Sequence, residues 1–223
     1  MKPLALVLAL AYPFLAHVAV LRSDPRLMAA GIASLVLALL LPALARGRPS
    51  AYVAAAAAAA ALAGALALDA VAFLLYVPPV LLNLLAGWAF ARTLAPGRMP
   101  LVEQFSRAVH GSHPLDPGIP AYARALTRTW AILLFAIAAI DAVLALFAVP
   151  GGVLVRAGIA PPIAVPQAWW SLFANFLGWL LIGLLFALEW LYRKRRFPVQ
   201  PYRGFGEFAR RLAAVGPELW RGR

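Results

Sequence analysis

Long apolar runs separated by short polar joints make up most of this chain. Six runs are rich in alanine, leucine and valine, and they cover residues 3–21, 27–45, 51–68, 70–91, 130–149 and 168–191. A helix needs about 20 residues to cross a hydrocarbon layer roughly 30 Å thick. The pattern therefore predicts an all-α polytopic membrane protein, with a bundle of about six transmembrane helices in residues 1–192 and a tail in residues 193–223.

The third and fourth runs meet at Asp69, with no glycine or proline at the junction. As one helix, residues 51–91 would extend for roughly 60 Å, which is about twice the thickness of the hydrocarbon layer. The chain therefore has to cross the membrane twice in this region, and we expect it to turn near Asp69.

Composition agrees with a membrane protein and excludes several kinds of chemistry. Of the 223 residues, 64% are hydrophobic and 13% are charged, and the mean hydropathy is +0.85, which is far from the composition of a soluble domain. The chain has no cysteine, so disulfides, thiolate metal sites and cysteine nucleophiles are excluded. The first run is longer than the apolar core of a signal peptide, and we expect it to be retained as a helix.

The positive charges fall mostly on one side of the predicted spans. With six spans and a cytoplasmic N-terminus, 17 of the 20 lysines and arginines are cytoplasmic, and Arg22, Arg26 and Arg156 are the three outside. The positive-inside rule then predicts that both termini lie in the cytoplasm. A five-span arrangement with the opposite N-terminus distributes the charges almost as well, so span length decides for six. The net charge of +12 does not indicate a nucleic-acid partner, because the arginines sit in short joints between spans.

Residues 92–129 form the sizeable cytoplasmic loop of this topology, and a short helix is predicted inside it. Pro100 is placed to begin this helix and Gly111 to end it. An apolar stripe recurs at helical spacing, at Leu101, Val102, Phe105 and Val109. The polar side chains on the remaining surface are Glu103, Gln104 and Arg107. A helix so short, one-faced and tethered at both ends is expected to lie at the bilayer interface.

Six polar residues of this loop form a candidate cytoplasmic site: Arg107, His110, His113, Asp116, Arg124 and Arg128. The two histidines are three residues apart across Gly111, which does not fit the four-residue spacing of metal ligands on a helix. A structural or interfacial role and acid–base catalysis both stay open for them. The last two arginines share one helix face, where they would meet anionic headgroups or an anionic ligand. No cofactor, metal or catalytic residue is predicted.

The tail has a similar design. A basic cluster at the end of the sixth span is followed by a proline-broken link. An apolar stripe comes next, at Phe205, Phe208, Leu212 and Val215, and it is opposed by Glu207, Arg210 and Arg211. A basic amphipathic segment of this kind fits a lipid surface or an acidic partner protein.

Three polar residues inside the spans form a candidate intramembrane site: Asn83, Asp141 and Asn175. Asp141 and Asn175 fall at similar depths in consecutive antiparallel spans, so the two could form a hydrogen bond, whereas Asn83 lies nearer the cytoplasm. A carboxylate is costly in the membrane unless it faces the bundle and finds a partner. We therefore expect Asp141 to face inward and to be partly or wholly protonated at neutral pH, either in a structural hydrogen bond or in a proton-coupled role. His17 is expected only to pack or to snorkel, and Glu189 to pair with Arg193.

The middle third of the chain resembles a known family. The segments "YVPPVLLNLLAGWAFARTLAPGRMPLVEQFSRAVHG" and "YARALTRTWAILLF" are similar to a family of uncharacterised bacterial integral membrane proteins. The matching positions are Pro78, Pro79, Asn83, Arg92, Thr93, Leu94, Pro96, Gly97, Arg98, Pro100, Leu101, Phe105, Arg107, Tyr122, Thr127 and Trp130. The chain departs from the family at Ala123 and Ala125, where polar or basic residues are usual. Members are often encoded with aryl-polyene or xanthomonadin-type pigment synthesis, and the resemblance implies no catalytic residue.

The basic cytoplasmic face and the resemblance lead to a working hypothesis about function. We expect an accessory inner-membrane protein of an aryl-polyene or other fatty-acid-like lipid pathway, which docks cytoplasmic enzymes such as an acidic acyl carrier protein or handles a lipid-linked product. One alternative is a small transporter or flippase that uses Asn83, Asp141 and Asn175 as a polar path, although the chain lacks an obvious internal repeat. Another alternative is a membrane enzyme whose loop carries His110 or His113.

Overall fold

The computed structural model describes residues 2–110 and 116–197, together with residues 206, 207 and 210. Among these residues, six helices are long and apolar enough to cross a membrane. The first four are α1 (Lys2–Arg22), α2 (Pro25–Leu44), α3 (Pro49–Ala67) and α4 (Val71–Ala91). After the short helix α5 (Leu101–His110) come the fifth, α6 (Ile119–Phe147), and a sixth that runs over Gln167–Arg196. The prediction of an all-α polytopic membrane protein with six spans is confirmed.

The sixth span is a composite helix. The connection that leads into it carries two short parallel strands, β1 (Ala148–Val149) and β2 (Val165–Pro166), with α7 (Val153–Arg156) between them. The span then consists of α8 (Gln167–Leu172), a π-helix over Phe173–Leu177, and α9 (Gly178–Arg196). A π-helical turn is rare and is found frequently at functional sites.

Local sequence explains where the spans begin and where the chain turns. Asp24 caps α2, because its carboxylate accepts hydrogen bonds from the backbone N–H groups of Arg26 at 2.8 Å and Leu27 at 3.3 Å. Proline stands in the first turn of both α2 and α3, where its missing N–H leaves no helical bond unmade. The predicted turn at Asp69 is confirmed, since its φ of 52° lies in the left-handed region that aspartate tolerates better than most residues.

Large apolar side chains point outward along the spans. Leu6, Leu39 and Trp179 expose 60%, 63% and 62% of their surfaces. A soluble protein rarely exposes so much contiguous apolar surface, whereas the hydrocarbon of a bilayer is a favourable neighbour for it. The chain is therefore described as a multi-pass membrane protein.

The chain divides into two compact units. The first unit comprises residues 1–82 and 137–181, and the second unit comprises residues 83–136 and 182–223. The division falls within α4 and α6 and near the start of α9, so each of these helices contributes to both units. Most of the predicted amphipathic tail lies outside the described residues, apart from residues 206, 207 and 210 and the end of α9.

The core of the first unit depends on small residues and aromatic rings. Ala16 and Ala19 are buried, and a Cβ added at Gly31 would lie only 3.4 Å from the backbone nitrogen of Ala16. Small side chains at such contacts let helix backbones approach closely. The rings of Tyr76 and Trp170 extend this core, with centroids 4.4 Å apart in an edge-to-face arrangement.

The core of the second unit is largely aromatic. The Trp130 ring lies between the Phe90 ring, with centroids 5.9 Å apart, and the Phe186 ring at 6.0 Å. Tyr122 has its own aromatic neighbours, since its ring stacks on Tyr192 at 5.6 Å and meets the edge of Phe197 at 5.4 Å. Such offset and edge-to-face pairs hold the parts of α4, α6 and α9 that belong to this unit together.

Candidate functional site

The second unit contains a cavity of about 380 Å³. Its walls are mostly aromatic and aliphatic side chains from α4, α5, α6 and α9, among them Ala86, Phe90, Phe105, Trp130, Leu134 and Phe186. Apolar cavities with a few convergent polar groups are the usual form of a small-molecule site. The sequence pattern did not reveal this cavity, because hydropathy shows that a residue is apolar but not whether it faces lipid or a neighbouring helix.

Polar groups occur at the cavity lining as well. The lining includes Ser106, His110, Glu189 and Arg193. Glu189 and Arg193 form the ion pair expected from their spacing, with Arg193 Nε 3.0 Å from Glu189 Oε1. Tyr122 donates a hydrogen bond from its hydroxyl group to the same carboxylate at 3.0 Å. The ion pair and the hydrogen bond offset the desolvation cost of burying the Glu189 carboxylate, so this charged group is tolerated beside an apolar cavity.

Helix α5 forms as the sequence predicts, and two threonines fix its first turn. Thr93 Oγ1 accepts a hydrogen bond from the backbone N–H of Leu101 at 2.9 Å, and Thr127 Oγ1 accepts one from Val102 at 3.2 Å. These side chains satisfy N–H groups that a helix start otherwise leaves without partners. Further along α5, Val109 packs against Phe186 and Trp190. This part of the apolar stripe is therefore covered by protein.

The expectation that Glu103 lies on the surface of α5 is wrong. Glu103 is buried, with 7% of its surface exposed. Its carboxylate accepts hydrogen bonds from Arg107 Nε at 3.0 Å and Nη2 at 2.8 Å. Arg107, four residues later, stays half-exposed, and its guanidinium group neutralises the charge of the buried Glu103 carboxylate. Arg107 of the candidate loop site is thus part of a structural ion pair.

The two histidines and the aspartate of the candidate loop site do not share one set of contacts. His110 lines the cavity, and its Nδ1–H donates to the backbone carbonyl of Ser106 at 2.8 Å. Asp116 Oδ1 accepts a hydrogen bond from the backbone N–H of Gly118 at 2.7 Å, just before α6 begins. His113 lies outside the described residues. Within the described ranges, no group of three or more His, Asp or Glu side chains is placed to hold a metal ion.

The arginines of the loop lie on the outer surface of the second unit. Arg124 donates hydrogen bonds to the carbonyl oxygens of Leu94 at 3.2 Å and Arg98 at 3.3 Å. Arg128, one turn further along α6, is exposed. A second cavity, of about 410 Å³, is lined by Arg92, Thr93, Arg98, Met99 and Gln104. Guanidinium groups on a polar cavity are suited to carboxylate or phosphate ligands.

In the first unit, Asp141 and Asn175 are both buried, as expected for residues that face inward. The hydrogen bond that their similar depths made possible is not formed. The Asn175 amide nitrogen donates instead to the backbone carbonyl of Ser171 at 2.9 Å and to Ser171 Oγ at 3.2 Å. Ser171 lies one turn earlier in the same span, so it reaches the amide without contact to α6. Asn83, the third residue of the predicted polar path, belongs to the second unit.

Three polar residues of the first unit were missed as site residues or given a lesser role. His17 does more than pack or snorkel, because its Nδ1 shares a hydrogen bond with Ser171 Oγ at 3.0 Å. Tyr12 is also buried, in the same core as Ala145 of α6 and Ala174 of the π-helix. The signal for His17 and Ser171 was available, since each is a polar residue in an apolar span. Tyr12 gave no such signal, because tyrosine is common near membrane interfaces.

No protein-family model, no curated protein and no solved structure matches this chain. Function must therefore be inferred from the chemistry of the two units. The second unit offers an apolar cavity with compensated charges at its lining, and the first unit offers buried polar side chains at Tyr12, Asp141 and Asn175.

Proposed function

We propose that this protein is an accessory inner-membrane protein of an aryl-polyene or other fatty-acid-like lipid pathway, and that it binds a lipid-linked acyl chain in the cavity of the second unit. The cavity of about 380 Å³ is the observation that carries this proposal. Its walls come from three membrane spans and from α5. A ligand that reaches such a cavity from the bilayer has to be apolar over most of its length.

The polar groups of the lining define the other end of the ligand. In a bilayer, an apolar chain gains little by leaving lipid for an apolar cavity, because both surroundings are equally apolar. Preference for one chain must therefore come from its shape and from polar contacts. Flat aromatic walls at Phe90, Trp130 and Phe186 suit a stiff conjugated chain. His110 and the Glu189–Arg193 ion pair border the cavity, and we infer that a carboxyl, thioester or phosphate group at the end of the chain lies beside them.

The basic surface of the loop supports the proposed orientation and partners. Arg98, Arg124 and Arg128 are exposed on the second unit. With the loop and both termini in the cytoplasm, these arginines face anionic headgroups and acidic carrier proteins. An acyl carrier protein that docks there would deliver its chain near the cavity of the same unit. Docking and chain handling are then two steps of one function.

A binding measurement with a fluorescent polyene fatty acid tests the proposal. Trp130 lies in the cavity wall, so energy transfer from tryptophan to the conjugated chain reports binding in detergent or nanodiscs. Ala86→Phe fills part of the cavity and is expected to weaken binding about tenfold, which corresponds to roughly 1.4 kcal/mol. Ala136→Phe adds the same ring at an exposed position of α6 and serves as the matched control. Equal binding by both variants and the wild type would reject the cavity as the site.

Deletion of the gene tests the pathway separately. Extracted lipids and pigments of the deletion strain are expected to lack, or to accumulate precursors of, one acyl or polyene product. The Ala136→Phe gene should restore the wild-type profile, and the Ala86→Phe gene should restore it only in part. An unchanged profile in the deletion strain would contradict the pathway assignment while leaving the binding measurement intact.

A further inference from the structure

The Asp141 and Asn175 side chains lie at the same level of the first unit. A Cβ added at Gly178 would lie 3.3 Å from Ile137 Cγ2, so α6 and the sixth span approach closely at this point. Asp141 lies one turn beyond Ile137 in α6, and Asn175 lies one turn before Gly178 in the sixth span. Helix α6 and the sixth span run in opposite directions. A forward turn in α6 and a backward turn in the sixth span therefore lead toward the same end of the helix pair. Further along, Ala145 of α6 shares a buried core with residues of α8 and the π-helix.

Tyr12 of α1 joins them from a third helix. Helix α1 packs against α8 and the π-helix, and the Phe14 and Phe176 rings meet at 5.4 Å. The His17–Ser171 hydrogen bond fixes the same register one turn away. Tyr12 lies on the buried face of α1 and belongs to the same buried core as Ala145 of α6 and Ala174 of the π-helix. Three helices therefore contribute one phenol, one carboxylate and one amide to the buried interior of the first unit.

These groups are buried but not satisfied. Tyr12, Asp141 and Asn175 expose 8%, 0% and 3% of their surfaces. Within the described part of the chain, the Tyr12 hydroxyl, both Asp141 carboxylate oxygens and Asn175 Oδ1 have no hydrogen-bond partner. Buried polar atoms are nearly always paired, and an unpaired carboxylate is especially costly. The hydrogen bonds from the Asn175 amide nitrogen to Ser171 leave the amide oxygen as the free end.

The geometry points to a binding site for a monovalent metal cation of the Na⁺ class, formed by Tyr12, Asp141 and Asn175. Carboxylate, amide and hydroxyl oxygens are the hard ligands that such ions take. One carboxylate neutralises one positive charge, whereas a divalent ion would leave a net charge in the membrane. A proton on Asp141 would satisfy at most one neighbouring acceptor, but a cation accepts lone pairs from all of these oxygens at once.

The π-helix is a second observation at the same place. It covers Phe173–Leu177 and so includes Asn175. Irregular helical turns within membrane spans release backbone groups from the regular ladder, and such turns often line ion sites. The site does not depend on the proposed lipid function, because it is built entirely from the first unit.

Thermal unfolding in detergent tests the cation site. The probe is NaCl, compared with N-methylglucamine chloride at equal ionic strength. We expect Na⁺ to raise the Tm of the wild type, by about 5 °C at concentrations well above its Kd and by more as the concentration increases further. Asp141→Asn should abolish this rise, and Asp69→Asn, which removes the same charge at an exposed turn, should retain it. An equal rise in wild type and Asp141→Asn, or an equal rise with both salts, would overturn the site.

A second variant keeps the proposal testable if Asp141→Asn does not fold. Tyr12→Phe removes one oxygen and keeps the ring, so it should fold and bind Na⁺ several-fold more weakly. Titration calorimetry with Na⁺ alone gives the affinity directly. An unchanged affinity in Tyr12→Phe would contradict the assigned ligand set.

Discussion

The two units differ in how they treat buried carboxylates. In the second unit, Glu103 is held by Arg107, and Glu189 is held by both Arg193 and Tyr122. In the first unit, Asp141 is completely buried, and its oxygens have no hydrogen-bond partner among the residues that the structure describes. The same chain thus compensates charge in one unit and leaves it uncompensated in the other.

The difference separates structural polar groups from candidate binding groups. Where carboxylates are paired, they stabilise helix contacts, and the apolar cavity beside them is available for a ligand. Where a buried carboxylate has no partner, its oxygens are themselves available to bind a ligand. The second unit is therefore proposed to bind an apolar chain, and the first unit a cation.

The largest expected effect is the difference in free energy of unfolding between two variants, Glu189→Gln in the second unit and Asp141→Asn in the first. Glu189→Gln leaves Arg193 without a counter-charge and should lower the free energy of unfolding by about 3 kcal/mol. Asp141→Asn in Na⁺-free solution removes a charge that has no protein partner, so it should leave the free energy of unfolding unchanged or raise it. Reversible unfolding in mixed detergent, followed by circular dichroism, measures both values. Similar costs for the two variants would erase the contrast between the units.

A smaller effect is expected at the start of α5. Thr127 is completely buried, donates to the Ala123 carbonyl at 2.7 Å and accepts from the Val102 N–H. Thr127→Val should therefore cost about 1 to 2 kcal/mol, because it leaves a buried N–H unsatisfied. Thr129→Val, at an exposed position of the same helix, should change stability by less than about 0.5 kcal/mol. The same unfolding assay checks this pair, and an equal loss in both would mean that Thr127 does not hold α5.

Sequence patterns predicted the elements of this protein better than its contacts. The six spans, the turn at Asp69 and helix α5 follow from run length and helical periodicity, which are local properties of the chain. The Glu189–Arg193 pair was also predictable, because residues four apart on one helix are neighbours.

Contacts between helices were predicted poorly. Nothing local distinguishes an Asn175 that bonds Asp141 from one that bonds Ser171, and the π-helix around it has no sequence signature. The burial of Glu103 depends on the position of α5. That position is fixed by hydrogen bonds from the first turn of α5 to Thr93 and Thr127, which lie outside the helix. The cavity arises in the same way, since Phe90, Trp130 and Phe186 meet only after three spans have packed.

The smallest expected effect concerns the exposed arginines. Arg128→Glu reverses a charge on the surface of the second unit and should weaken capture of an acidic acyl carrier protein by nanodisc-embedded protein by up to about fivefold. Arg22→Glu makes the same change at an arginine that the predicted topology places on the opposite side of the membrane, and it should leave capture unchanged. Surface plasmon resonance at two salt concentrations measures both. Unchanged capture by Arg128→Glu would reject docking at this surface.

Photo-crosslinking in living cells tests the central claim that the second unit holds an acyl chain. A benzoylphenylalanine in place of Phe105 lies in the cavity wall, and the same residue in place of Phe14 lies on an exposed face of α1. Mass spectrometry of the purified adducts should find one acyl or polyene species at position 105 and mixed membrane phospholipids at position 14. The same phospholipid mixture at both positions would contradict the claim.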